Sequence, residues 1–237
     1  MISRIEYAIQ GIIKHRRVKR CKELKESIRE IISILFDLRL NLWLNKSQLI
    51  LQDIEPYYNW RHLYTSEEDE HSPFFGRTYS EFEFSQTVYN YYIHPQWDEF
   101  GSKTLYMKIL FVDYEQSYAI IELLGEWNDA IENDIMTLRR DVTDILYAKG
   151  VTKFMLIAEN VLNFHSSSDD YYQEWREQLS DDGGWVVIID MPVQSQYDFK
   201  RARLTNYVTL IDFPQWRTLK PEIVFQEIES MFSKRLE

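Results

Sequence analysis

Apolar and polar positions along the chain change their period twice. From Leu24 the apolar residues Leu24, Ile28, Ile31, Leu35, Leu38 and Leu42 recur at alternating spacings of four and three, which predicts a long amphipathic helix with a heptad-like seam. Glu23, Lys25, Glu26, Arg29 and Glu30 fill its other faces, so the seam needs a cover. A helical hairpin or a dimerisation arm is expected there, with an intramolecular core as the even alternative. After Asn45-Lys46-Ser47 and Glu55-Pro56 an aromatic-rich stretch begins, with 14 aromatics between Tyr57 and Phe100. That density favours core or domain-interface packing over stacking on sugars or bases. Within it, Tyr79, Glu81, Glu83 and Ser85 alternate with Phe82 and Phe84, and Tyr89, Tyr91 and Ile93 alternate with polar neighbours. This predicts two strands joined near Ser85-Gln86. Residues 65–72, with Glu67-Glu68-Asp69-Glu70, read as an acidic surface loop.

Beyond Gly101-Ser102 the pattern becomes regular. Residues 105–112 and 118–124 read as two strands around a hairpin connection at Asp113-Tyr114-Glu115-Gln116. Ile131, Ile135, Leu138, Val142 and Ile145 mark a helix that Lys149-Gly150 closes. Phe154-Met155-Leu156-Ile157 is an unbroken apolar run, as in a strand buried on both faces, and it is expected at the centre of a sheet. Ser166-Ser167-Ser168 then precede Asp169-Asp170 and a helix whose face is Tyr171, Tyr172, Trp175 and Leu179. Asp181-Asp182-Gly183-Gly184 turns into the strand at 185–189. A weaker helix follows to Leu204, then a strand at 207–211 and a helix opened by Pro221. The order β-β-α-β-α-β-α-β-α predicts an α/β fold, a mostly parallel mixed sheet flanked by helices. The expected organisation is a basic helical arm over 1–50, an aromatic-rich β hairpin extension over 51–103, and the α/β domain over 104–237.

Composition narrows the classes. With 237 residues and 45% apolar content the chain can bury a substantial core. Its apolar runs stop far short of the ~20 residues of a membrane span, and no long uncharged leader opens the chain. The single Cys21 forms no internal disulfide, which fits a cytoplasmic protein. The net charge of −11 argues against nucleic acid as a partner, although it is unevenly placed: residues 1–50 carry +6 and the remainder −17. Seven Lys or Arg fall between Lys14 and Lys25, and a solvated helix face is their simplest use.

Three segments then carry a resemblance. Ile121-Glu122-Leu123-Leu124-Gly125-Glu126-Trp127-Asn128 is a strand running into a Gly-Glu turn; Phe164-His165-Ser166-Ser167-Ser168 follows the central strand without a gap; and Gly183-Gly184 precedes the next strand. In this order residues 104–237 resemble a STAS domain, the α/β fold of anti-sigma-factor antagonists, stressosome proteins and sulfate-transporter ends. The matching family segments are Gly-x-Leu-Asp, apolar-Asp-Ser-Ser-Gly and Gly-Gly. The resemblance implies a non-catalytic regulatory module, phosphorylated in regulatory members on the serine matching Ser166 by a partner kinase that is also an anti-sigma factor. It makes Ser166, Ser167, His165 and Asn128 the candidates for phosphorylation or partner binding. The family's Asp is His165 here, and its Gly is Ser168.

Other chemistry finds little support in the sequence. His165 beside Ser166 lacks a third orienting residue, so a hydrolase is not expected. The remaining histidines, His15, His62, His71 and His94, stand at no ligand spacing, and neither a metal nor a cofactor is expected. The serines have a second reading as a helix cap, through Ser168 or an Asp170 and Gln173 box. The expected function is a protein-interaction module; a small-ligand or lipid carrier, its pocket closed by residues 57–100, is the alternative, and an enzyme of unrecognised type comes third.

Overall fold

A computed structural model describes residues 52–80, 82–88 and 91–233. The heptad seam over 24–42 and the basic stretch over 14–25 lie outside the described residues. The chain divides after Gln52, and the second unit, Asp53–Glu237, is compact by itself.

At the centre of the second unit is a five-stranded sheet. Its strands, in spatial order, are β4 (Leu105–Asp113), β5 (Tyr118–Asn128), β6 (Lys153–His165), β7 (Trp185–Ile189) and β8 (Thr209–Ile211). β4 and β5 are antiparallel, and the other neighbours are parallel. Helix α1 starts as Asp134–Leu138, widens into a π turn at Arg139–Thr143 and ends as Asp144–Tyr147. Then come α2 (Asp170–Ser180), α3 (Val193–Arg201) and α4 (Pro221–Ser233), with a 3-10 turn at Pro214–Thr218 before the last. The element order read from the sequence is the observed one.

β6 takes the middle of the sheet because its residues 154–158 are fully buried and apolar on both faces. One face, with Ala119, Ile121, Leu123, Phe154 and Leu156, packs on α1, α2 and α3 through Leu138, Val142, Trp175 and Phe199. The other, with Tyr118, Ile120, Met155 and Ile157, packs on Val224, Phe225 and Ile228 of α4 and on Trp60 and Trp216. The β4–β5 connection is tied by the Asp113 carboxylate, which accepts from the amides of Glu115 and Gln116 at 2.9 Å each.

Three expectations need correction. Gly125 does not end β5: it sits inside the strand at φ 120°, at a register shift against β6, and the strand continues to Asn128. In α1, Ile131 precedes the helix and is exposed, and the π turn brings Leu146 rather than Ile145 inward. The alternation over 79–85 forms no strand among the described residues. Instead β2 (Thr87–Val88) pairs with β3 (Tyr91–Ile93), and β1 (Gln52–Ile54) completes a three-stranded sheet in the order β1-β3-β2. Ile93 and Val88 bury against Trp97, Tyr106 and Leu124, so the small sheet covers the upper part of β4 and β5. Phe82 and Phe84 stay at the surface because apolar alternation alone provides no facing partner, while Tyr79 is half-buried and donates its hydroxyl to Asp98 at 2.5 Å. The acidic loop over 65–72 is anchored through Asp69, which accepts from the hydroxyls of Tyr64 at 2.8 Å and Tyr114 at 2.5 Å.

Candidate functional site

β5 and β6 extend past the end of β7, because β7 stops where Ile189 pairs with Ile157 while β6 runs on to His165. At the tip of this extension Asn128 and His165 are register partners, and the Asp129 amide donates to the His165 carbonyl at 2.9 Å. Two of the candidate residues are therefore brought together by strand pairing. Glu126 joins them: its Oε1 lies 3.0 Å from His165 Nε2 and accepts from Asn128 Nδ2 at 3.3 Å. Asn128 is buried, and its Oδ1 accepts from the Ile131 amide at 3.0 Å, so it braces the loop after β5. His165 is about half exposed, at 47% of its side chain.

Below the tip lies a rigid support that sequence reasoning missed. Asp129 accepts from the Trp127 indole at 2.9 Å, the Ile135 amide at 2.8 Å and the Tyr172 hydroxyl at 2.6 Å, which ties β5, α1 and α2 together. Burial pushes the Asp129 carboxyl up to about 6 against the opposing pull of these hydrogen bonds. Asp134 accepts from the Asn128 amide at 2.7 Å. Asp129 lies in the loop after β5 and Asp134 opens α1, neither with a distinguishing sequence pattern, and only the packing reveals their role.

Ser166, Ser167 and Ser168 follow as exposed residues, leading into α2. The cap expected from Ser168, or from Asp170 with Gln173, does not form. Asp169 is the N-cap residue, its carboxylate accepts from the Tyr207 hydroxyl at 2.8 Å, and Gln173 instead donates to Glu177 at 2.8 Å. The hydroxyls of the loop are thus left to solvent while the helix start is fixed by others. His165 turns its Nε2 to Glu126, so the neighbouring serine gains no base from that nitrogen.

A second polar cluster lies within the sheet. Glu122, in the middle of β5 and fully buried, accepts from the Tyr57 amide at 2.8 Å and pairs with Arg217 at 3.3 Å. Arg217 also meets Glu159, and its carbonyl accepts from the Tyr57 hydroxyl. Burial raises the Glu122 carboxyl to about 7, and the Tyr57 amide and Arg217 oppose that rise. Among the described residues no group of three or more His, Cys, Asp or Glu is arranged to hold a metal ion, and no helix is long and apolar enough to cross a membrane.

Solved structures of anti-sigma factor antagonists are similar to this chain. The antagonist SpoIIAA in its unphosphorylated form is 14% identical, with 52% of this chain and 96% of that one covered at a TM-score of 0.40. The Bacillus cell fate determinant SpoIIAA in its phosphorylated form is 14% identical over 52% of this chain and 98% of its own, at 0.36. A candidate anti-sigma factor antagonist from Thermotoga maritima is 20% identical over 52% and 92%, also at 0.36. No family model matches the chain. No curated protein matches it either. The α/β assignment stands on the strand order and register of the five-stranded sheet.

Proposed function

We propose that this protein works by binding another protein at the loop of Ser166, Ser167 and Ser168, and that it is a regulatory module rather than an enzyme. The observation that carries this reading is the contrast at the tip of β6: three exposed hydroxyls stand on a frame fixed by the Asn128–His165 pairing and the Asp129 hydrogen bonds. A loop held by a rigid scaffold is a common place for recognition. The resemblance to STAS domains at Ser166 supports a phosphorylation-controlled version, with a kinase of the anti-sigma-factor type as partner in a reducing cytoplasm. A phosphoryl group there would add roughly 1.5 to 2 negative charges near the amino end of α2.

The carrier alternative has less support. The cavity between the aromatic stretch and β4, lined by Tyr57, Tyr64 and Lys108 among others, measures about 20 Å³. That is room for about one water molecule, and the larger hollows along this stretch, of about 230 and 400 Å³, are clefts open to solvent rather than closed pockets.

Site-specific photo-crosslinking in the native cell tests the reading. A crosslinking residue at 166 or 167 should trap a protein, whereas one at 222 on α4 should not, and phosphosite mapping of the purified chain reports on Ser166. Equal trapping at 166 and 222, or none at either, would overturn the assignment.

A further inference from the structure

A separate face of the unit carries a cleft that the serine loop does not use. It has a volume of about 230 Å³ and is walled by Tyr79, Glu83, His94, Trp97, Glu99 and Tyr106. Trp97 and Tyr106 are only 5% and 4% exposed, so the surrounding core fixes them. Trp97 is further held by its indole N–H, which donates to the Ile54 carbonyl at 2.7 Å. Glu83 and Glu99 are exposed at the opening. The two cations that border the cleft are already paired: Arg77 and Lys108 each lie 3.2 Å from the buried Asp98, Arg77 also donates to the Glu99 carbonyl at 2.9 Å, and Lys108 stands 3.9 Å from the Tyr79 ring centroid. Among the described residues that line the cleft there is no lysine or arginine.

We propose that this cleft binds the side chain of an arginine or lysine presented by a protein or peptide segment. Two carboxylates beside aromatic rings suit a cation, by charge-assisted hydrogen bonds and by the negative ring faces. The same carboxylates repel phosphate and other anions. The volume suits one side chain and falls below the ~300 Å³ at which pockets for whole cofactors begin. A peptide is favoured over a free amine by the surface next to the cleft. Phe82 is 85% exposed, and Phe84 and Tyr92 are 38% exposed each. The Phe84 ring stands 5.5 Å from His94 of the cleft wall and 6.2 Å from Tyr92, so the aromatic rim is continuous with the cleft. Such a rim contacts residues flanking a basic side chain, and a free amine leaves it bare.

Calorimetric titration of the full chain tests this with three probes: acetyl-arginine amide, a blocked peptide with one arginine between leucines, and that peptide with citrulline replacing arginine. The arginine peptide should bind more tightly than the amide, and citrulline should weaken it about tenfold, as loss of a charge-assisted contact implies. Glu83→Gln combined with Glu99→Gln should cause a similar loss with an unchanged melting temperature, since both residues are exposed. Phe82→Ala should weaken the peptide and leave the amide alone. Equal binding of the citrulline peptide, an unaffected double variant, or no heat from the arginine peptide at millimolar concentration would overturn the proposal. Amide and peptide binding equally well would overturn the peptide as its source.

Discussion

Arg217 reaches Glu122 across 95 residues of chain, with a guanidinium nitrogen 3.3 Å from a carboxylate oxygen that has no exposure to solvent. The same arginine meets Glu159 on β6, and its guanidinium lies 4.6 Å from the Trp216 ring centroid and 5.3 Å from that of Tyr57. One partly exposed cation therefore serves two carboxylates on adjacent strands, and the amide of Tyr57 supplies the remaining donor to Glu122. This cluster joins the segment before β2 to the sheet and to the turn before α4.

Glu122 gives stability a pH dependence of known sign. Its folded value of about 7 lies above the ordinary 4.5, so the folded state holds the proton more tightly than the unfolded chain. Its contribution is fully present below pH 4.5 and is lost as pH rises through 7, amounting to about 3 kcal/mol at 1.36 kcal/mol per unit. Asp129, raised to about 6, adds a contribution of the same sign in a lower window. Chemical denaturation between pH 4 and 8 should show the wild type losing stability relative to Glu122→Gln as pH rises. Parallel pH profiles for the two proteins would refute this.

Gly125 is required by its backbone. At φ 120° a side chain is strained in any case, and an added Cβ would collide with the Thr104 carbonyl. Gly125→Ala should cost more than ~2 kcal/mol in urea denaturation. A near-neutral result would mean that the β5 bulge relaxes, and the Asn128–His165 pairing above it would then be in doubt.

Much of the sheet is legible in the sequence because buried parallel strands leave apolar runs, as in Phe154-Met155-Leu156-Ile157 and Trp185-Val186-Val187-Ile188-Ile189, and both form strands as read. Gly125 misleads because glycine in a bulge and glycine in a turn look alike locally. Phe82 and Phe84 mislead in the opposite way, since they alternate like a strand face yet are exposed. At the candidate site, the serines stand out because hydroxyls before an amphipathic helix form a local pattern, and the pairing of Asn128 with His165 follows from two strands in register. The Glu122–Arg217 pair leaves no such trace. A glutamate inside an apolar run and an arginine in a 3-10 turn are joined only by the fold.

Leu156 tests the centre of the sheet. It is fully buried on β6, paired with Ile121 on one side and Ile188 on the other. Leu156→Asp should lose on the order of 4 kcal/mol by burying an unpaired charge. An unchanged melting temperature would show that β6 is not central.

The serine loop and the start of α2 should separate by mutation. Ser168 is exposed, and the helix start rests on Asp169, whose carbonyl accepts from the amides of Tyr172 at 3.1 Å and Gln173 at 2.9 Å. Ser168→Ala should therefore change stability by no more than ~0.5 kcal/mol. Asp169→Ala should lower the melting temperature measurably, because it removes the acceptor of the Tyr207 hydroxyl. Ser166→Asp adds charge at an exposed loop, so it should leave the fold intact while reducing the yield of the protein crosslinked from position 167. If Ser168→Ala instead lost about 1 kcal/mol or more, the serines would be holding the helix, and a Ser166→Asp variant with undiminished crosslinking would leave the loop no part in recognition.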